Sequence, residues 1–219
     1  MVGDDSLTTF TGFKQEDFDV FSIPGLENRM EALRERISPK LEAAAQELSA
    51  DVTAMTGDEM FVHVARHARR KTNPPNDTWA ALASSKRGYK KLPHFQIGLW
   101  ETHVFVWFAV IYESPIKVDF ASKLEENKED ILSHIPEDYV WSVDHTKPEA
   151  APHSDVDDEA FSKMTERLKT VKKAEILCGR QLQRGDDRLK DPEAFIDFCR
   201  ETFQTLEPLY RFTKQLEEK

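Results

Sequence analysis

Apolar residues recur at steps of three or four between the Pro24-Gly25 turn and Gly57. Leu26, Met30, Leu33, Ile37, Leu41, Ala44, Leu48, Val52 and Met55 therefore share one helical face and predict a long amphipathic helix. Ser38-Pro39 interrupts it. A proline removes a backbone donor and crowds the previous turn, so the helix is expected to kink there or to restart with Ser38 as N-cap. The same period returns three times: through Val118, Ala121, Leu124, Ile131 and Leu132 after Ser114-Pro115; through Phe161, Met164, Leu168 and Val171 within 157–171; and from Phe195 to Leu216 after Asp191-Pro192.

Between these helices the period changes to two. Residues 94–112, HFQIGLWETHVFVWFAVIY, hold the most apolar run, Val104 to Tyr112, and read as a hairpin of Phe95–Trp100 with His103–Tyr112. The second arm is apolar on both faces, which predicts a central strand covered on both sides. Gly98 predicts a bulge or the close approach of another group. Met60–Arg70 fits a strand better than a helix because Phe-Val-His-Val is β-prone. Further strands are expected at Thr78–Ser85, Tyr139–Val143 and Glu175–Leu182, and Asn73–Asp77 reads as a loop. Neighbouring strands set between helices predict an α+β fold with an antiparallel or mixed curved sheet against long helices, in a single domain over 1–219.

Composition narrows the setting. The chain has 219 residues, 39% hydrophobic, with only 8 glycines, which is enough for one buried core. Its two cysteines, Cys178 and Cys199, lack metal-ligand spacing and read as buried apolar residues in a reducing compartment. The first ten residues show no signal-peptide pattern, and no apolar run reaches the ~20 residues of a membrane helix. The expected location is the cytoplasm, without membrane association. The net charge of −10 disfavours nucleic acid and anionic membranes as partners of the whole surface.

Charge is distributed unevenly, however. Residues 63–94 contain eight Lys/Arg and one acid, Asp77, a balance of +7 that leaves −17 on the remainder. A local cationic field on an acidic protein focuses anions, and guanidinium forks suit phosphate or carboxylate. The competing reading is that these cations pair with neighbouring acidic helices. Four histidines, His63, His67, His94 and His103, fall on predicted strands or their ends. His63 and His67 are four apart, but the glutamate of a zinc-protease HExxH is missing, so no metal site is expected. Trp79 and Tyr89, set among the cations, would suit base stacking. No P-loop, GxGxxG or GxSxG occurs, so catalytic residues and cofactors are not assigned.

Two stretches carry a family resemblance: HVARHARRKTNPPNDTWAAL and RGYKKLPHFQIGLWETHVFVWFAVIYESP. They resemble the YktB-like proteins of Firmicutes, uncharacterised bacterial proteins that carry a domain of unknown function. The resemblance implies a cytosolic α+β protein of TBP-like or helix-grip topology and brings no catalytic residues with it. The functional expectation rests on charge and strand faces alone. It is a cleft for a small anionic or phosphorylated ligand, formed by His63, His67, Arg69, Arg70, Asn73, Asp77, Trp79, Lys90, His94, Trp100 and His103. The alternative is an interaction module in which the same patch holds nucleic acid or an acidic protein surface without catalysis.

Overall fold

The computed structural model describes residues 9–217. Seven strands form one antiparallel sheet: β1 (Phe61–Val64), β2 (Asp77–Ala83), β3 (His94–Trp100), β4 (His103–Val110), β5 (Val140–Ser142), β6 (Ala151–Pro152) and β7 (Ile176–Gln183). Their spatial order is β1-β2-β3-β4-β7-β5-β6. The helices are α1 (Gln15–Phe18), α2 (Leu26–Ala32), α3 (Ser38–Thr56), α4 (Lys117–Glu126), α5 (Lys128–His134), α6 (Asp158–Thr170) and α7 (Pro192–Glu217). The α+β class and the antiparallel alternative of the expected sheet are what the chain adopts. Among the described residues no helix is long and apolar enough to cross a membrane.

Strand alternation divides the apolar residues between two faces. Phe95, Ile97 and Leu99 of β3 pair with Phe108, Val106 and Val104 of β4, and all six join the main core under the helices. There α7 lays Phe203 and Tyr210 against Phe95, with ring centroids 4.9 and 5.6 Å away. Phe10 and Phe13 pack on Phe195 at 5.2 and 5.4 Å, so the N-terminal aromatics do pin that segment to the body. The first eight residues, part of the segment read for a signal peptide, lie outside the described residues. Both cysteines are buried, and burial pushes their thiols well up.

The opposite face of β2–β4 carries Trp79, Ala81, Phe105, Trp107 and Ala109 as a second, smaller cluster. Ala65 and Ala150 from loops, Tyr89 from a 3-10 turn and Val140 of β5 pack against it.

Several local expectations change. The helix at Ser38-Pro39 neither caps nor restarts. A π-helical stretch, Leu33–Ile37, joins α2 to α3, and Ser38 makes no capping bond. A π turn shifts the hydrogen-bond ladder by one residue and so absorbs the donor that Pro39 lacks. The helix after Pro115 begins only at Lys117, and Val118, expected inside, is 45% exposed. The strand expected over Met60–Arg70 ends at Val64. Residues 65–76 then leave the sheet, and His67 takes a left-handed backbone, φ +48°. That conformation is incompatible with a strand and uncommon for any residue but glycine.

Candidate functional site

The register sets His63, Ala81, Gln96 and Trp107 in one row across β1–β4, on the face away from the long helices. The next row holds Trp79, Gly98 and Phe105. Gly98 is needed there: a Cβ would meet the Phe105 ring and lie 2.6 Å from the Thr78 carbonyl oxygen. The close approach expected at this glycine is therefore present, without a bulge in the β3 pairing.

A groove of about 960 Å³ follows β1 and the loop after it. Arg34 and Glu42 flank it from the helical side, and Arg66, Arg69, Arg70, Lys86 and Lys90 from the sheet and loops. Among the described residues Glu42 is the one acid in its lining. None of the eight Lys/Arg of residues 63–94 forms an ion pair among the described residues. Lys86 instead lies 5.3 Å above the Phe61 ring and Lys90 5.5 Å above Trp79. Internal pairing with acidic helices, the competing explanation of the +7 segment, is not how these cations are arranged.

At its inner end the groove adjoins a recess of about 80 Å³. His67, Arg70, Trp79 and His145 line both spaces, and Asn76, Asp77, Trp100 and Thr146 complete the recess. Asp77, the first residue of β2, is 6% exposed. Among the described residues it forms no ion pair and no side-chain hydrogen bond, and its carboxylate takes a backbone hydrogen bond within its own residue. Burial raises its pKa to about 6, against the opposing pull of His145 and Arg70. Arg29 braces the loop before it, donating from Nη1 to the Pro75 carbonyl and to Asn76 Oδ1, each at 3.0 Å.

His145 is held by a buried carboxylate. Its Nδ1 lies 2.7 Å from Glu175 Oε2, and its backbone N–H donates to the same oxygen at 2.9 Å. The Glu175 side chain is 3% exposed, one residue ahead of β7. Burial pulls the His145 pKa down, but the hydrogen bond and charge of Glu175 prevail, and the net shift is upward. A carboxylate at Nδ1 fixes that nitrogen as N–H and leaves Nε2 for whatever enters the recess. Across the recess His67 is opposite in character. Its Nε2 bonds Thr78 Oγ1 at 3.1 Å, while burial and then the charges of Arg70 and Lys90 lower its pKa to about 4. Trp79 stands between the two rings, edge-on to both, and its Nε1 donates to Tyr89 Oη at 3.0 Å.

The eleven residues expected at a site divide three ways. His63, His67, Arg69, Arg70, Trp79 and Lys90 line the groove, and Asp77 and Trp100 line the recess. His94, His103 and Asn73 line neither. His94 is wholly buried; its Nδ1 bonds the Leu92 carbonyl at 2.7 Å and its Nε2 accepts from Gln96 at 2.8 Å. Its role is to tie the sheet to the 84–92 loop, and burial holds its pKa at about 4. His103, also lowered to about 4 by burial, bonds Thr102, and its Nε2 is buried without a partner. Asn73 is exposed, and Asn76 occupies the place expected for it. His145 and Glu175 were absent from the sequence expectation. Thirty residues separate them, and no local motif joins them. Among the described residues no group of three His, Cys, Asp or Glu side chains could hold a metal ion.

A family model described as a domain of unknown function, DUF1054, matches residues 13–210. The chain belongs to this family. DUF1054 thus spans the whole sheet and both cavities. Among curated relatives, a UPF0637 protein of Bacillus velezensis is 54% identical over 204 residues, 93% of this chain and 97% of that one. A second UPF0637 protein, from Bacillus licheniformis, is 50% identical over the same shares. A third, from Bacillus thuringiensis, is 49% identical over 202 residues, 92% of this chain and 97% of the relative. The uncharacterised bacterial family that the sequence resembles is therefore the one to which the DUF1054 comparison leads.

Proposed function

We propose that the groove beside β1 binds a small anionic or phosphorylated molecule. One observation carries this reading: six Lys/Arg and three His face the groove against a single glutamate, and the cations from residues 63–94 lack carboxylate partners among the described residues. Uncompensated cations in a concave site attract an anion more strongly than the same charges on open surface, because low-dielectric walls weaken screening. Arg69 and Arg70 supply planar forks for phosphate or carboxylate oxygens. The two buried thiols suit a reducing, cytoplasmic setting for this binding.

Nucleic acid is less well supported. Stacking on bases needs outward ring faces, whereas Trp79 is 7% exposed. Tyr89 is half-buried, stacked on His63 at 4.9 Å and bonded to Trp79.

Thermal unfolding with inorganic phosphate, sugar phosphates, nucleotides and a short single-stranded oligonucleotide, each at low and moderate salt, tests the reading. A small anion at a hundredfold excess over Kd should stabilise by about 2.7 kcal/mol. The Arg69→Gln/Arg70→Gln double variant should lose that gain while melting as the parent does without ligand. Stabilisation by the oligonucleotide alone, fading as salt rises, would transfer the site to nucleic acid.

A further inference from the structure

We propose that the recess floored by Asp77 selects the ligand: the anion bound in the groove carries a hydroxyl group that enters the recess, donates to Asp77 and accepts from His145. This inference rests on the groove reading above and specifies its ligand as a short hydroxyl-bearing phosphate ester or carboxylate.

The argument begins with a buried carboxylate. Asp77 is almost fully buried and takes a backbone hydrogen bond within its own residue but none from a side chain, so its remaining acceptor capacity, costly to leave unused when desolvated, is open to a ligand. It faces a polar space of about 80 Å³, large enough for a hydroxymethyl-sized group or two or three waters. The same recess is lined by an imidazole, that of His145, whose Nδ1 is committed to Glu175, so that when the ring is protonated Nε2–H is a donor. A hydroxyl satisfies both at once, because it donates one hydrogen bond and accepts another. An ammonium only donates, and it would enter beside the positive charges of Arg70 and, farther out, Lys90. A second anion would meet Asp77 directly. Arg70 lines both spaces, so an anion held there places its first carbons at the mouth of the recess. Asp77 titrates near 6 and the His145 pKa is raised above its ordinary 6.5, so at pH 6.5 the carboxylate is mostly ionised while the ring is mostly protonated.

Titration calorimetry at pH 6.5 with four probes tests the inference: inorganic phosphate, propyl phosphate, glycerol 3-phosphate and O-phosphoethanolamine. Glycerol 3-phosphate should bind about tenfold or more tightly than propyl phosphate, the usual scale for a hydrogen bond to a charged group. In Asp77→Ala that ratio should fall to about one, with inorganic phosphate affinity within about twofold of the parent. His145→Gln gives the same comparison should Asp77→Ala fold poorly, and should reduce the ratio in part. If phosphate binds but glycerol 3-phosphate and propyl phosphate bind alike, the groove reading survives and the recess inference is overturned. A preference for O-phosphoethanolamine over glycerol 3-phosphate overturns the hydroxyl assignment. If no probe binds, the groove reading fails and this inference fails with it.

Discussion

The two faces of the central sheet are built from alternate residues of the same strands yet differ in chemistry. Phe95 faces the long helices among Phe108, Phe203 and Tyr210. Gln96, its neighbour, faces the other way and donates to His94. Helices satisfy their own backbone groups and can offer a dry apolar stripe, so the face beneath them is closed by packing. Loops cannot do this. Their backbone polar groups need partners or water, so the face they cover keeps histidines, glutamines and tryptophan N–H groups; the recess lies on that side, and the groove runs along the β1 edge between it and the helices. The β1–β4 sheet is thus a scaffold on one side and a polar site on the other.

The largest effect that would sharpen this contrast is a truncation on the dry face. Phe95→Ala should cost about 3–5 kcal/mol in urea denaturation. Gln96→Leu, one residue away, should cost nearer 1–2 kcal/mol by leaving His94 Nε2 without its donor. Equal costs would mean that the faces do not differ in kind.

Acid should act next, through the loop face and its histidines. His67, His94 and His103 have folded pKa values near 4, below the ordinary 6.5, so the unfolded chain binds more protons between these values. Stability is therefore present above pH 6.5 and is lost as pH falls toward 4. His94 alone amounts to about 3 kcal/mol by the 1.36 kcal/mol per pKa unit of linkage. Denaturant midpoints across that window should fall steeply, and His94→Gln should flatten the slope by about a third.

Asp77 works in the opposite direction. Its folded pKa is raised from 3.8 to about 6, so its favourable contribution exists below pH 4 and is lost as pH rises through 6. At pH 8 the ionised carboxylate is a burden on the fold, and Asp77→Asn should stabilise by about 1–3 kcal/mol, with the gain vanishing near pH 4. A residue that destabilises its own protein in this way is expected at a site kept for binding. A destabilised Asp77→Asn protein at pH 8 would instead make Asp77 a structural acceptor.

The smallest effect concerns His145. Its pKa is raised in the folded chain by Glu175 after burial is overcome, so its stabilisation is full below pH 6.5 and fades as pH climbs through the folded value. His145→Gln should cost about 1 kcal/mol at pH 6 and less at pH 9. A nitrogen-detected NMR titration should show Nδ1 protonated throughout and Nε2 titrating above 6.5.

Helices and central strands were readable because their signal is local. The stripe from Phe195 to Leu216 and the two-faced apolar run of β4 each state within about twenty residues which side is buried. The shortness of β1 was not readable, because Phe-Val-His-Val looks the same whether the chain stays in the sheet or leaves it at Ala65. The site was half legible. Its cations and Trp79 lie close together in sequence, while His145 reaches the recess from the β5–β6 loop, held by Glu175 just ahead of β7, on the far side of β4.

The amino-acid order by itself determined the α+β class, the helical faces, the central hairpin, the buried cysteines and the concentration of positive charge in residues 63–94. Each is a matter of spacing or composition over short distances, where side-chain periodicity and charge act directly. Only the tertiary structure decided which cations lack carboxylate partners, which histidines are neutral packing and which one is held by a carboxylate, and that Asp77 is buried beside an open recess. Those properties depend on desolvation and on contacts between distant segments, and they come into being only when the β1–β4 hairpins, β7 and the 143–150 loop are folded against one another.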